Sequence, residues 1–442
     1  DHRLRYTDFR RSADVSGQAR QARWLGRSVA SLSTLDAALV VGSFLRKDHP
    51  LLAQRLRQAA RRGAKVMSLH ALRDSWLMPV AQHMVVPPSQ WVASLAAIAA
   101  AIAQSKGVTA PMAVQADDRA KAIAQGLLSG QHKAVLLGHA ALHHPHAEEL
   151  WGIAGWIAAQ VDATVGCLGE GANAVGAQWV DAMPGTSGMN AAQMVAQPPR
   201  AMLLLNVEPG LDVADAGTAR SSFEGCDLVV ALTSFKDADI PGADVMLPMA
   251  AFVETSGTYV NTEGRIQSFQ GVVKPRGDAR PAWKILRVLG NLLELPGFDY
   301  ESSEAVAREA LQDCGPARLS NAVATPTSVV APRTDLERLA CVPIYATDSW
   351  VRRAPALQAT ADAKAAVVHV GVDLWETLAL RSGDRLRITQ GSGTAELPVA
   401  LDASLAPKTL RIPAGLPHTG ALGRADESLQ VERVAAAQGV AA

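Results

Sequence analysis

Apolar residues in this chain gather in short unbroken runs, and between the runs they recur with a helical period. Ala37 to Gly42 reads AALVVG, a buried strand closed by glycine. Asp48 is then placed to cap a helix with Pro50 in its first turn, and this helix should run to Gly63. Leu52, Leu56, Ala59 and Ala60 share one face of it, while Arg55, Arg57, Arg61 and Arg62 fall mostly elsewhere as a solvated face. Lys65 to Leu69 supplies the next strand. The three elements make a βαβ unit, whose crossover should be right-handed with parallel strands.

The alternation returns further on. Lys133 to Gly138 and Thr164 to Leu168 read as strands around a helix from Ala147 to Val161, with Leu150, Ile153, Ala154 and Ile157 inward. Met202 to Asn206, Asp227 to Leu232 and Asp244 to Leu247 are further short strands, each stopped by Pro, Gly or polar residues. The prolines between Val195 and Arg200 mark a crossing from one layer to the next. From Ser320 to Leu336 the chain is polar and punctuated by proline, which reads as a linker. Beyond it the period becomes two: Leu386 and Ile388 alternate with Arg385, Arg387 and Thr389, and Ala395, Leu397, Val399 and Leu401 repeat the pattern. Leu410 and Ile412 continue it, Gly383 with Asp384 makes a turn, and Asp373 with Glu376 looks like a capping box opening a short helix.

The pattern therefore predicts an α/β fold of two doubly wound, mostly parallel-sheet layers followed by a small carboxyl-terminal β-barrel. The expected divisions are 1–195, 196–319, a linker at 320–340, and 341–442.

Composition narrows the function classes. A chain of 442 residues is long for a single core. Its 42 basic residues balance 42 acidic ones, so no net field draws nucleic acid or an anionic membrane. The longest apolar run, Leu95 to Ala103, falls far below the roughly 18 residues of a membrane span, and reads as a buried helix. No direct membrane insertion is expected. Cys167, Cys226, Cys314 and Cys341 lie far apart, without the close pairs of iron-sulfur or zinc sites, and fit buried thiols in a reducing cytoplasm. Asp1 opens the chain without an initiator methionine or a leader pattern, so a piece of a longer protein is expected.

Candidate chemistry is sparse. Gly169, Gly171 and Ala174 match G-x-G-x-x-A after a strand, but no acidic residue follows at the ribose-binding distance, and Pro184 and Gly185 soon interrupt any helix. His139, His143, His144 and His146 crowd one loop ahead of Glu148 and Glu149. Such a cluster could bind a divalent metal, although polarity at a helix entry explains it as well. No G-x-S-x-G elbow occurs. Glu254 and Glu263 would form an acid-base pair only if they faced one pocket, and otherwise cap their own loop's amides.

The densest signal runs from Ala243 to Gln267, ADVMLPMAAFVETSGTYVNTEGRIQ. Pro248 stops a strand, and Glu254, Thr255, Ser256, Thr258, Asn261, Thr262, Glu263 and Arg265 then surround Gly257 and Gly264. This predicts a hydrogen-bonding loop at a strand's carboxyl end, where open α/β sheets bind ligands. The run resembles the molybdopterin oxidoreductase family, and its Thr-Tyr-Val-Asn-Thr-Glu-Gly-Arg form is most similar to the large iron-sulfur subunits of respiratory complex I. The segments Ala38–Val66, Ala201–Gly210, Ile344–Thr360 and Val367–Gly415 share the resemblance.

Departures from the family pattern shape what it implies. A usual Gly-Ser-Asn-Pro turn is here Gly42-Ser43-Phe44-Leu45, and a usual Asp-Pro-Arg is Leu69-His70-Ala71. Asn-Thr-Glu-Arg-Arg becomes Asn261-Thr262-Glu263-Gly264-Arg265, and no cysteine lies near to ligate molybdenum. The resemblance thus implies a structural, cofactor-free part of the peripheral-arm subunit of NADH:quinone oxidoreductase, a translocase. It would support electron transfer from NADH to quinone and proton translocation without a catalytic, cofactor-binding or metal-binding residue in this segment. Its 2Fe-2S and 4Fe-4S clusters would sit in an amino-terminal region outside this chain. Its partners would be other peripheral-arm subunits, on the cytoplasmic side of the bacterial inner membrane. The rivals are an active molybdopterin-dependent oxidoreductase of the formate dehydrogenase type and a plain interaction module.

Overall fold

The computed structural model describes residues 21–435 apart from 170, 183, 185–187, 329 and 364–365. Strands β1 (Ala37–Val41), β2 (Lys65–His70), β3 (Gln82–Val85), β4 (Lys133–Leu137) and β5 (Thr164–Cys167) form a parallel sheet in the order β3-β2-β1-β4-β5. Successive side chains point to opposite faces, so Leu39 and Val41 enter a core with Trp91, Leu95 and Trp151, while Ala38 and Val40 meet Leu52 and Leu56. Helices Trp91–Lys106 and Ala147–Val161 supply the first core and helix Pro50–Arg61 the second, which makes the sheet doubly wound. Pro50 fixes the first helical φ, as expected, but Asp48 does not cap this helix. It ends a short preceding turn, Leu45–Asp48, and His49 takes the capping position without a side-chain bond.

A second parallel sheet, in the order β6-β7-β8, comprises β6 (Ala201–Leu205), β7 (Leu228–Thr233) and β8 (Val245–Pro248). Helices Ala191–Ala196 and Ala216–Glu224 cover one face through Met194, Ala219 and Phe223. The rich polar run after β8 is an antiparallel hairpin of β9 (Gly257–Val260) and β10 (Ile266–Phe269). Asn261 Oδ1 accepts from the amides of Glu263 and Arg265 and closes the turn. Gly264, with φ of +81°, lies so close to Leu319 that a Cβ would sit 2.4 Å from its Cδ1. Leu25 donates to Thr262 O across the same turn, which therefore joins three distant parts of the chain.

Residues 23–25 run beside β5, where Cys167 donates to Trp24 O at 3.0 Å. A Cβ on Gly166 would lie 1.9 Å from Leu25 O, a backbone atom that cannot move aside alone. Gly166→Ala is expected to cost about 2 kcal/mol or more through this overlap, seen as a lower thermal midpoint. An unchanged midpoint would mean that the 23–25 segment is not held there.

The last six strands are β11 (Glu337–Cys341), β12 (Val368–Val370), β13 (Arg385–Gln390), β14 (Gly393–Leu401), β15 (Thr409–Pro413) and β16 (Leu429–Val434). They make one mixed, curled sheet in the order β11-β15-β12-β14-β13-β16, the expected small β domain. Leu386 and Ile388 are fully buried while Arg385 and Arg387 face outward to Glu396 and Glu432. Asp373 does not cap its own helix, Val372–Thr377; its Oδ2 accepts instead from the Lys408 amide at 2.8 Å. β11 begins at Glu337, inside the 320–340 stretch, and Asn321 in that stretch donates to the carbonyls of Trp24 and Val165.

Candidate functional site

The carboxyl ends of the first sheet, the end of β6 and the ends of β11 and β15 enclose a cleft of about 1290 Å³. Strand order in the first sheet reverses between β1 and β4, the position where doubly wound sheets hold ligands. At this switch point the two loops touch. A Cβ on Gly138 would sit 2.3 Å from Ser43 Cβ, and Ala141 donates to Gly42 O at 3.2 Å. Phe44 and Leu45 are buried rather than turned outward.

The histidine loop is ordered by specific partners. His49 and His139 place Nε2 2.8 and 3.2 Å from Gly169 O, so both donate to the same carbonyl. His139 Nδ1 lies 3.6 Å from Asp48 Oδ2. Burial raises the Asp48 pKa, and the neighbouring His139 draws it back. Both side chains line the cleft. His144 stacks on Trp91 with centroids 5.6 Å apart, donates from Nε2 to Pro88 O at 3.0 Å, and accepts at Nδ1 from the His146 amide. Both nitrogens are used by a neutral ring, and burial lowers its pKa to about 4. His146 pairs with Glu149 instead. Among the described residues, no group of three His, Cys, Asp or Glu side chains is placed to hold a metal ion.

Other sequence candidates scatter. Asn173, ahead of helix Ala174–Trp179, accepts from the Val260 amide at 2.8 Å, so its side chain holds the hairpin and does not cap the helix. Glu254 accepts from the Ala251 amide of its own loop. Glu263 accepts from the Val29 amide and meets Arg265. Neither lines the cleft.

Among the described residues, three of the four Lys and Arg side chains lining the cleft are matched by carboxylates, and the fourth, Arg338, is held only by neutral oxygens with its Nε unpartnered. Lys47 meets Asp362, Arg333 meets Asp335 at 2.6 Å, and Arg424 meets Asp426 at 2.8 Å. Arg338 donates to Gln390 Oε1 and to the carbonyls of Gly423 and Pro413, and burial lowers its pKa to about 10. Burial pushes the Cys341 thiol up to about 11, so it stays protonated at neutral pH.

Sequence reasoning missed the ionic cluster at the end of the second sheet. Glu208, only 2% exposed, receives Arg352 at 2.8 Å and Arg353 at 2.6 Å, and Arg352 also meets Asp212. The one available signal was the adjacent Arg352-Arg353 pair after a tryptophan.

The model of the molybdopterin oxidoreductase family matches residues 3–292, well over half of the chain. The chain belongs to the molybdopterin oxidoreductase family. Two curated relatives carry the name "Putative formate dehydrogenase", from Staphylococcus aureus strains bovine RF122 / ET3-1 and USA300. Each is 33% identical over 99 residues, which are 22% of this chain and 10% of the relative. The match thus spans about a tenth of those relatives' length. Among solved structures, acetylene hydratase from Pelobacter acetylenicus superposes with a TM-score of 0.61 at 15% identity, over 89% of this chain and 76% of that one. At that identity the likeness speaks for the fold, which this molybdopterin oxidoreductase family member shares. Among its described residues, no helix is long and apolar enough to cross a membrane.

Proposed function

We propose that this chain is the carboxyl-terminal part of the large iron-sulfur subunit of NADH:quinone oxidoreductase and serves there as a cofactor-free platform. The observation that carries the reading is that the cations lining the cleft, all but the buried Arg338, are matched by carboxylates. A pterin dinucleotide brings several phosphates, which need free cations and backbone amides. Here Lys47, Arg333 and Arg424 are already engaged by carboxylates. Buried Phe44 and Leu45 take up the first loop, and His70 is fully packed between Phe44 and Trp91. On this reading the residues present do not fit the family's cofactor.

On this reading electrons pass through iron-sulfur clusters in an amino-terminal region and neighbouring peripheral-arm subunits, on the cytoplasmic side of the bacterial inner membrane. This segment holds those parts in place. Elemental analysis of the full-length subunit from its native host is expected to find iron without stoichiometric molybdenum or tungsten. Either of those metals at one per chain would reject the platform in favour of the second reading, an active molybdopterin-dependent oxidoreductase of the formate dehydrogenase type. The names of the two relatives favour that alternative.

A further inference from the structure

The segment Ile344–Gln358 touches the loops that follow all three strands of the second sheet. After β6, Ser349 Oγ donates to Asn206 Oδ1 at 3.2 Å, and Arg352 and Arg353 converge on Glu208. After β7, the Phe235 ring meets Trp350 edge-on at 4.8 Å, the Arg353 guanidinium lies 4.6 Å above the Phe235 centroid, and Asp237 accepts from Arg353 at 3.1 Å. After β8, Phe252 packs 5.8 Å from Trp350. Gln358 donates to Tyr345 O and Val351 O and so closes the segment on itself.

Parallel α/β sheets take ligands outside the carboxyl ends of their strands. We infer that Ile344–Gln358 is an internal strap that holds the loops after β6, β7 and β8 together with this chain's own side chains, while Ile344, Thr347 and Asp348 leave the end of β6 open to the cleft they line with it. The cluster is complete. Glu208 Oε1 accepts from Arg353 and from the Asp239 amide, and Oε2 accepts from Arg352 and again from Arg353. Burial alone would raise the Glu208 pKa, but hydrogen bonds from Arg353 and Arg352 outweigh it and hold the carboxylate below its usual range. The strap leads from β11 toward β12, so it also ties the last sheet to the second one. The inference goes beyond the cofactor reading and stands whether or not the first crevice holds a ligand.

Hydrogen exchange on the full chain tests it, with Arg352→Gln/Arg353→Gln compared against the unaltered protein. Peptides covering 344–358 should exchange roughly tenfold faster or more, and peptides covering 206–212 and 234–239 should accelerate with them, while the first sheet stays unchanged. Acceleration of 344–358 alone would make the segment a surface tail and overturn the inference, as would no change anywhere. Should the double variant fail to fold, Trp350→Ala removes only the aromatic contacts. It should accelerate the same three regions together, and release of 344–358 alone would again reject the strap.

Discussion

Glu208→Ala should destabilise the second sheet by about 2–4 kcal/mol, because it takes from two largely buried guanidinium groups the carboxylate they share. Arg352 is 10% exposed and Arg353 23%, so water cannot replace the lost carboxylate fully. Arg352 keeps Asp212 and Arg353 keeps Asp237, but neither retains the shared buried anion between them. Glu208→Gln should lose less, since its amide oxygen still accepts from one guanidinium. Removal of Glu396, an exposed partner of Arg385 and Arg387 at 40%, should cost under about 1 kcal/mol. Native-state exchange of β6 and β7 amides is the measurement, because a chain of this size does not unfold in a single step. Equal effects of Glu208→Ala and Glu396→Ala would sink the account. With its folded pKa depressed, Glu208 contributes stability above its unfolded pKa and loses it as pH falls through the folded value.

Acid should loosen the first sheet as pH falls below 6.5. Burial lowers the pKa of His70 from 6.5 to about 3 and that of His144 to about 4. Both rings are neutral in the folded chain and would take up a proton on unfolding once pH drops below 6.5. The unfolded state then binds more protons, so stability falls as pH is lowered from 6.5 toward each folded value. Each unit of displacement is worth about 1.4 kcal/mol, and the two rings together reach several kcal/mol. Asp48 and Asp74 act the other way, since burial raises their pKa and protonation favours the folded state, but only as pH approaches the carboxylate range. Near-UV dichroism and first-sheet amide exchange between pH 7 and 4 would follow the loss. His70→Phe should flatten much of it, because His70 Nε2 has no hydrogen-bond partner and the ring already packs on Phe44 and Trp91, at the cost of the weak 3.3 Å bond that Nδ1 accepts from the Leu72 amide. Constant stability across that range would show that these histidines are not buried as neutral rings.

Local periodicity carried most of the fold. The helix Ala147–Val161 stands at its expected bounds, and each expected strand from Ala37 to Leu247 lies within one residue of its place. Leu386 and Ile388 alternate with exposed arginines as the period of two requires. Local pattern misjudged the caps. Asp48 and Asp373 sit where helix-capping residues belong, yet Asp48 faces His139 and Asp373 accepts from Lys408, which is distant in sequence. The run from Ala243 to Gln267 had the polar density of a ligand loop. Its polar groups instead close a hairpin turn that binds Leu25 and packs on Leu319.

The amino-acid sequence by itself determined where strands and helices lie, which faces they bury, and the family to which the chain belongs. These properties depend on neighbours within a few residues, where side-chain spacing and backbone geometry act directly. Only the tertiary structure decided that Glu208 meets Arg352, 144 residues later, and that the segment around Trp350 joins the loops after β6, β7 and β8. Charge pairing and contacts between distant loops depend on the path of the whole chain through space, and no local period encodes that path.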